Sequence, residues 1–309
     1  MMGQMFDSYI VVDWSANGTP KTGRDSLWIA QHCPGQPLAL HNPPTRALAM
    51  DLIARALHEE ARKGRRVLAG FDFAFGYPAG LAQAIAPGAD WRDVWGWLHD
   101  HLTDGPDNAN NRFDLAADLN ALFDADGPFW GNGLSRDIPG LPRRKPTGWG
   151  DVLPDNRRLA DRLAPAAQEV WKLSGAGSVG GQSLTGIAAL ERLRRRLPLS
   201  VWPFDPVNAR SPGAGPAVLA EVFPSAIPLN PALHPVRDAA QVIGLVRALA
   251  DWDANGRLSL MLQAPQTMPA AVRQHEAMIL GLDPEQAAPC GPIAASAGFR
   301  NGKHGPKKP

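Results

Sequence analysis

The segment Tyr9-Ile-Val-Val-Asp13-Trp-Ser15 is a short apolar run that stops at an acid, and it decides the fold. An apolar run of this length predicts a buried β-strand. A second strand is predicted over 26–31, and the Gly- and Pro-containing stretch 15–23 predicts the wide loop of a β-hairpin. Apolar residues recur at helical spacing over 44–63, so an amphipathic helix is predicted to follow the hairpin.

The segment Arg66-Val-Leu-Ala-Gly-Phe-Asp72 has the same design, an apolar strand that ends at a carboxylate. This succession of hairpin, helix and strand predicts an α/β protein with a single core. Later strands are predicted over 169–173, 200–204 and 217–223, and later helices over 182–196, 236–255 and 269–281.

Residues 80–165 differ in texture from the rest of the chain. They contain predicted helices over 91–102 and 112–123, followed by a stretch rich in Gly, Pro and Trp. We interpret them as a large helical and loop-rich insertion, either a lid or cap subdomain or a structural elaboration without ligand contact. The whole chain, 1–309, is otherwise predicted to be one domain, with 298–309 as a flexible basic tail.

Composition and charge argue against several classes of protein. The formal net charge of +1 at pH 7 gives no global field that attracts nucleic acid or a membrane. No apolar run approaches the roughly 20 residues that a membrane span needs, so we expect no membrane insertion. Cys33 and Cys290 lack zinc-site or disulfide-framework spacing, which favours a cytoplasmic location.

Three acids lie at the ends of predicted core strands. Alternation along a strand places Asp13 on the face of Val11, and Asp72 on the face of Leu68. Glu221 ends the strand predicted over 217–223. A charged group beside such apolar sequence needs water, a hydrogen-bonding partner or a cation, since burying an unpaired charge costs on the order of several kcal/mol.

The predicted last helix supplies a fourth acid. At about 100° per residue, Glu276 falls inside the apolar stripe between Val272 and Ile279. His275 lies one step around the helix, where it is either a proton carrier or metal neighbour, or an ordinary partly buried histidine.

Converging carboxylates suit the hard divalent cations Mg²⁺ and Mn²⁺, which prefer oxygen ligands. Two such ions about 4 Å apart activate water and stabilise the leaving oxygen of a phosphodiester. The predicted metal ligands are therefore Asp13, Asp72, Glu221 and Glu276, with His275 as an additional catalytic candidate. Each acid taken alone also fits a turn former, a salt-bridge partner or a helix cap.

Five short motifs occur in chain order: Val12-Asp13-Trp-Ser15, Gly70-Phe-Asp-Phe-Ala-Phe-Gly76, Gly175-Ala-Gly-Ser-Val-Gly-Gly-Gln-Ser-Leu-Thr-Gly186, Glu221-Val-Phe-Pro224 and His275-Glu276. Together they resemble a poorly characterised bacterial family of predicted RNase H-like nucleases. The resemblance implies a mixed five-stranded sheet flanked by helices, with Asp13, Asp72 and a later acid holding Mg or Mn. It also implies a metal-dependent nuclease or phosphoesterase acting on nucleic acid or a smaller phosphorylated substrate. The large central insertion departs from a minimal RNase H domain.

Two other functions stay open. An actin-like, nucleotide-dependent phosphotransferase would use the glycine loop, with Gly175, Gly177, Gly180 and Gly181 approaching phosphates at a helix start. The loop matches neither a P-loop nor a dinucleotide-binding motif, and it also fits a tight turn where two backbones meet. The third possibility is a non-catalytic ligand-binding protein on the same fold, with some of its tryptophans lining the ligand surface.

Overall fold

The computed structural model describes residues 4–123, 125–147, 149, 153–164, 166–207, 216–263 and 268–282. Six strands form one mixed sheet in the order β3-β2-β1-β4-β6-β5. The α/β class with helices around a mixed sheet is confirmed. The strands are β1 (Ser8–Asp13), β2 (Trp28–His32), β3 (Ala39–His41), β4 (Val67–Phe71), β5 (Leu199–Trp202) and β6 (Ala217–Glu221).

The sheet has an antiparallel half and a parallel half. Strands β1, β2 and β3 form an antiparallel meander, whereas β4, β6 and β5 run parallel to β1 on its other side. The implied count of five strands is wrong, because β5 adds an edge strand beyond β6. Strand β3 was not predicted from the sequence. The three-residue β3 is too short for a visible apolar period.

Eight α-helices are described. They are α1 (Arg46–Arg62), α2 (Leu81–Ile85), α3 (Trp91–His101), α4 (Arg112–Asn120), α5 (Leu159–Leu163), α6 (Gly180–Arg194), α7 (Arg237–Ala254) and α8 (Arg257–Gln263). The long ones follow the predicted apolar stripes, and their ends have local causes. Helix α1, for example, begins where the Thr45 hydroxyl accepts the Leu48 N–H at 3.3 Å.

The two faces of the sheet carry different layers. In β1, Ile10 and Val12 point into a core shared with α1, α3, α4 and α6. Tyr9 and Val11 alternate to the other face, which is covered by α7 and α8. Each face is therefore buried, as the continuous apolar runs of β1 and β4 require.

The central segment 80–165 contains α2 to α5, of which α2, α3 and α4 pack on the first of these faces. Helix α3 lies against α6, and the indole N–H of Trp95 donates to the Phe75 carbonyl at 2.8 Å. The apolar side chains of α2 to α4 belong to the same core as α1, whereas Leu159 and Ala160 of α5 belong to the core on the other face. The segment is thus integrated with the sheet layer, and a function as lid or cap stays a prediction.

Two predicted elements are wrong. Residues 169–173 form a turn with a single bridge, Trp130 to Lys172, instead of a strand. The helix predicted over 269–281 is reduced to the π-helical turn Val272–Glu276, after which Ala277 has a φ of +62° and the chain pairs with β6 through Ile279. The predicted tail 298–309 and Cys290 lie outside the described residues. Within the described ranges, no helix has the length and apolarity to cross a membrane.

Candidate active site

Asp13 and Asp72, here called the Asp pair, lie side by side at the carboxyl ends of β1 and β4. The register pairs Val12 with Phe71, and the Asp72 N–H donates to the Val12 carbonyl at 3.2 Å. The next side chains are therefore neighbours, and the two carboxyl groups are in hydrogen-bonding contact. The strand register thus brings together two of the acids selected from the sequence.

The Asp pair has no ion-pair partner among the described residues. Burial raises the pKa of Asp13 well above its usual range, and the Asp72 carboxylate raises it further. Burial also raises the pKa of Asp72 to about 6, although the Trp14 N–H donates to Asp72 Oδ1 at 2.7 Å and favours its charged form. Two like charges this close disfavour each other, so the pair is suited to share a proton or to bind a cation.

A third acid, Asp238, lies in the first turn of α7 and lines the same cleft. Its charge raises the pKa values of Asp13 and Asp72, and its Oδ2 accepts the Asp25 N–H at 2.7 Å. Asp238 was not predicted from the sequence, because acids are common in the first turn of a helix, where they interact favourably with the helix dipole. Asp238 lies at the start of the helix that follows β6. This position after a core strand is the sequence signal that could have placed it near the strand-end acids.

Glu221, at the end of β6, is neutralised by Arg158. The two Nη atoms of Arg158 donate to the two Oε atoms of Glu221, each at 2.7 Å, which is the strong bidentate geometry. The Phe75 N–H adds a bond at 3.0 Å, and Arg158 also pairs with Asp161 at 2.7 Å. Arg158, Asp161 and Glu221 are all buried, and we call them the Arg158 cluster.

Strand alternation explains why Glu221 does not join the Asp pair. The register pairs Phe71 with Glu221, so Glu221 shares the face of Phe71, while Asp72 alternates to the other face. On that other face β6 is followed by Val222, and a Cβ on Gly70 would lie only 2.7 Å from Val222 Cγ1. A valine therefore stands where a third strand-end carboxylate would face the Asp pair.

Glu276 and His275 lie outside the described lining of the cleft. Glu276 is buried, and its Oε2 accepts the Leu159 N–H at 2.7 Å. The His275 ring is 3.3 Å from Gln83 Nε2, and burial lowers the pKa of His275. The helix that was predicted to align Glu276 with Ile279 ends before that residue. Neither residue lines the cleft with the Asp pair. The position of these residues therefore gives no support to their predicted catalytic and metal-binding roles.

The glycine loop forms the tight turn that leads into α6. Gly175 and Gly177 have φ angles of +93° and +71°, which favour glycine. A Cβ on Gly180 would clash with the Val170 carbonyl, and one on Gly181 would lie 3.1 Å from Arg112 Nε. Positive φ angles thus account for Gly175 and Gly177, and close packing accounts for Gly180 and Gly181. Of the four, Gly177 also lines the cleft.

The cleft around the Asp pair has a volume of about 420 Å³. Its lining contains five acids and one basic residue, Arg158, which is already paired with Asp161 and Glu221. The cleft is consequently acidic, which favours cations. Within the described residues, no group of three or more His, Cys, Asp or Glu side chains is arranged to hold one metal ion. The predicted four-carboxylate set is therefore not assembled there.

Comparison of the chain with protein-family models, with curated proteins and with solved structures gives no match. The family resemblance of the five motifs therefore stays a prediction. The chemistry and geometry of the cleft are the observations that bear on the function of the protein.

Proposed function

We propose that the protein is a metal-dependent hydrolase of phosphodiesters, with the Asp pair as its reaction centre. The observation that carries the proposal is the contact between two half-buried carboxyl groups that have no cationic partner in the described residues. Mg²⁺ is commonly held by one or two carboxylates, several waters and the phosphate of the substrate. Two carboxylates at the base of an acidic cleft fit this requirement.

We also propose that the fold is RNase H-like, as the sequence motifs imply. The mixed sheet, its antiparallel start and the acids at the ends of β1 and β4 support this assignment. The edge strand β5 and the segment 80–165 are elaborations of it. The substrate is a nucleic acid or a smaller phosphodiester, because the chemistry of the cleft concerns the phosphate and not the groups that it links.

A bound Mg²⁺ or Mn²⁺ ion would supply a water of lowered pKa and would stabilise charge on the phosphate. Asp13 and Asp72 would hold it through the oxygens that now face each other. The Trp14 N–H fixes Asp72 Oδ1, and Gln182 Nε2 donates to the Trp14 carbonyl at 2.6 Å, which positions the segment after Asp13. Asp238 adds negative charge beside the pair and strengthens its attraction for a cation.

Hydrolysis of bis(p-nitrophenyl) phosphate in Mn²⁺ tests the proposal with a minimal phosphodiester. We expect turnover by the wild type and a loss of at least about 100-fold in Asp13→Asn and in Asp72→Asn, since each removes a charged ligand. Asp251→Asn, an exposed carboxylate on α7, is the matched control and keeps full activity. Equal turnover by the wild type and both Asp-pair variants, or no turnover of this ester or of DNA and RNA oligonucleotides by the wild type, would contradict the proposal.

A nucleotide-dependent phosphotransferase is the second candidate, and one observation favours it. Gly177, Ser178 and Val179 line the cleft directly before α6, and Val179 provides no side-chain cap for the N–H groups of the first turn. The Gly180 N–H donates to the Lys172 carbonyl at 2.9 Å, and the following N–H groups of a first turn without a side-chain cap are suited to bind phosphate. Saturable stabilisation of the protein by Mg-ATP in a thermal melt is expected for this function, and an unchanged melting temperature at millimolar Mg-ATP would argue against it.

A further inference from the structure

A second and larger cavity, of about 910 Å³, is a groove between α1 and α6. Its lining follows α1 along its entire length and α6 from Thr185 onward. The two helices pack on the sheet face that carries Ile10 and Val12. The Asp pair alternates to the other face, so the groove is separate from the proposed reaction centre.

One half of the groove is apolar. Its lining includes Met50 and Ala54 from α1, Leu102 after α3, and Ala188 and Ala189 from α6. Arg46 and Asp104 also reach this half, but they neutralise each other through a buried ion pair of 2.6 Å. Burying this surface against a ligand would be favourable at roughly 25 cal/mol per Å² of apolar area.

The other half of the groove is cationic. Four exposed arginines line it, two on α1 and two at the end of α6: Arg55, Arg62, Arg192 and Arg196. None of the four forms an ion pair with a described residue. Besides Asp104, two acids line the groove: Glu59 is held by Lys63 at 2.6 Å, and Asp51 is exposed. The positive charge of this half is therefore largely uncompensated.

The cationic half lies at the end of the sheet where the parallel strands begin, and the Asp pair lies at the opposite end. Helices α1 and α6 lead by short connections into the parallel strands β4 and β5, so both helices end where those strands begin. The Asp pair lies where β1 and β4 end. At 1.5 Å per residue, Arg196 is about 21 Å along the chain direction of α6 from Gln182, which lines the acidic cleft.

We propose that this groove binds an anionic amphiphile, a long-chain carboxylate or phosphate monoester. The apolar half accommodates the chain, and the arginines bind the head group through charge-assisted hydrogen bonds. The arginines are concentrated at one end of the groove, where Leu193 and Leu197 also line it, and the other end is mainly apolar. This distribution favours an amphiphile over nucleic acid, whose phosphates recur along its whole length. No Phe, Tyr or Trp lines the described groove, and His58 is the one aromatic ring in its lining, so it lacks the row of stacking rings that single-stranded nucleic acid uses.

Calorimetric titration of the full chain with decyl phosphate, below its micelle concentration, tests the proposal. We expect saturable binding that raises the melting temperature, with inorganic phosphate and decyltrimethylammonium each binding at least about tenfold more weakly. The double variant Arg192→Glu/Arg196→Glu should lose at least about tenfold in affinity through the head group. Ala189→Trp should lose a similar factor by filling the apolar half.

Arg247→Glu is the matched control, because it makes the same charge change at an exposed position of α7, on the other face of the sheet. It should bind decyl phosphate as the wild type does. Absence of saturable binding, or equal affinity in the control and in the double variant, would overturn the proposal. So would tighter binding of a DNA duplex that the double variant abolishes, because the groove would then be a nucleic-acid surface.

Discussion

The Asp pair and the Arg158 cluster contain the same kind of side chain at the same edge of the sheet, yet their electrostatics are opposite. In the Arg158 cluster, one buried guanidinium forms ion pairs with both Glu221 and Asp161. In the Asp pair, two carboxyl groups face each other and only backbone N–H groups assist them. The difference teaches that position at a strand end does not by itself distinguish a candidate cation site from a structural ion pair, and that the charges around the acid do.

Removing Arg158 should produce the largest effect on stability. Arg158→Met leaves Glu221 and Asp161 buried without their cation, which costs about 3–5 kcal/mol of unfolding free energy. Urea denaturation at pH 7 measures this loss. The control Arg136→Met removes an exposed pair with Asp114 and should cost less than about 1 kcal/mol. Equal losses in the two variants would mean that the Arg158 cluster is not the buried, compensated site described above.

Neutralising one acid of the Asp pair should have the opposite sign. Asp72→Asn removes the repulsion with Asp13 and keeps an oxygen for the Trp14 N–H. Without divalent cations at pH 7, we expect the unfolding free energy to rise by about 1–2 kcal/mol, a value reduced for solvent screening at a half-buried site. Asp251→Asn should change it by less than about 0.5 kcal/mol. A destabilised Asp72→Asn protein would show that the pair is not under electrostatic strain.

The burial of Asp72 predicts a pH dependence. The folded pKa of Asp72, about 6, lies above the usual value, so the folded state binds the proton more tightly than the unfolded state. Stability from this group is therefore present at low pH and is lost as pH rises from about 4 through about 6. The difference in unfolding free energy between wild type and Asp72→Asn, measured without divalent cations, should open over this interval. A difference that is constant with pH would contradict the raised pKa.

Glu276→Gln should have the smallest effect of the series. The amide oxygen of glutamine still accepts the Leu159 N–H that Glu276 binds, so the loss of unfolding free energy should stay below about 1 kcal/mol. If Glu276 is a metal ligand, as the sequence predicted, the variant would instead lose stabilisation by Mn²⁺ as completely as Asp72→Asn does. Thermal melts with and without Mn²⁺ distinguish these outcomes.

The sequence was sufficient to predict the strands of the Asp pair and the helices α1, α6 and α7, because long apolar runs and regular periods determine them. It was insufficient for Glu221, since the face of a strand-end residue depends on register with its neighbours. It also could not show that Arg158 reaches Glu221 across 63 positions of the chain. The extent of the last predicted helix was wrong, because an apolar stripe does not reveal that the helix ends before Ala277.

The measurement that tests the central claim most directly is calorimetric titration of Mn²⁺ into the wild type and Asp13→Asn, with Asp251→Asn as the matched control. The uncompensated charge of the Asp pair predicts saturable binding to the wild type and to the control, and a loss of at least about tenfold in affinity in Asp13→Asn. Equal affinity of Asp13→Asn and the wild type, or no binding to the wild type, would contradict the assignment of the Asp pair as a cation site.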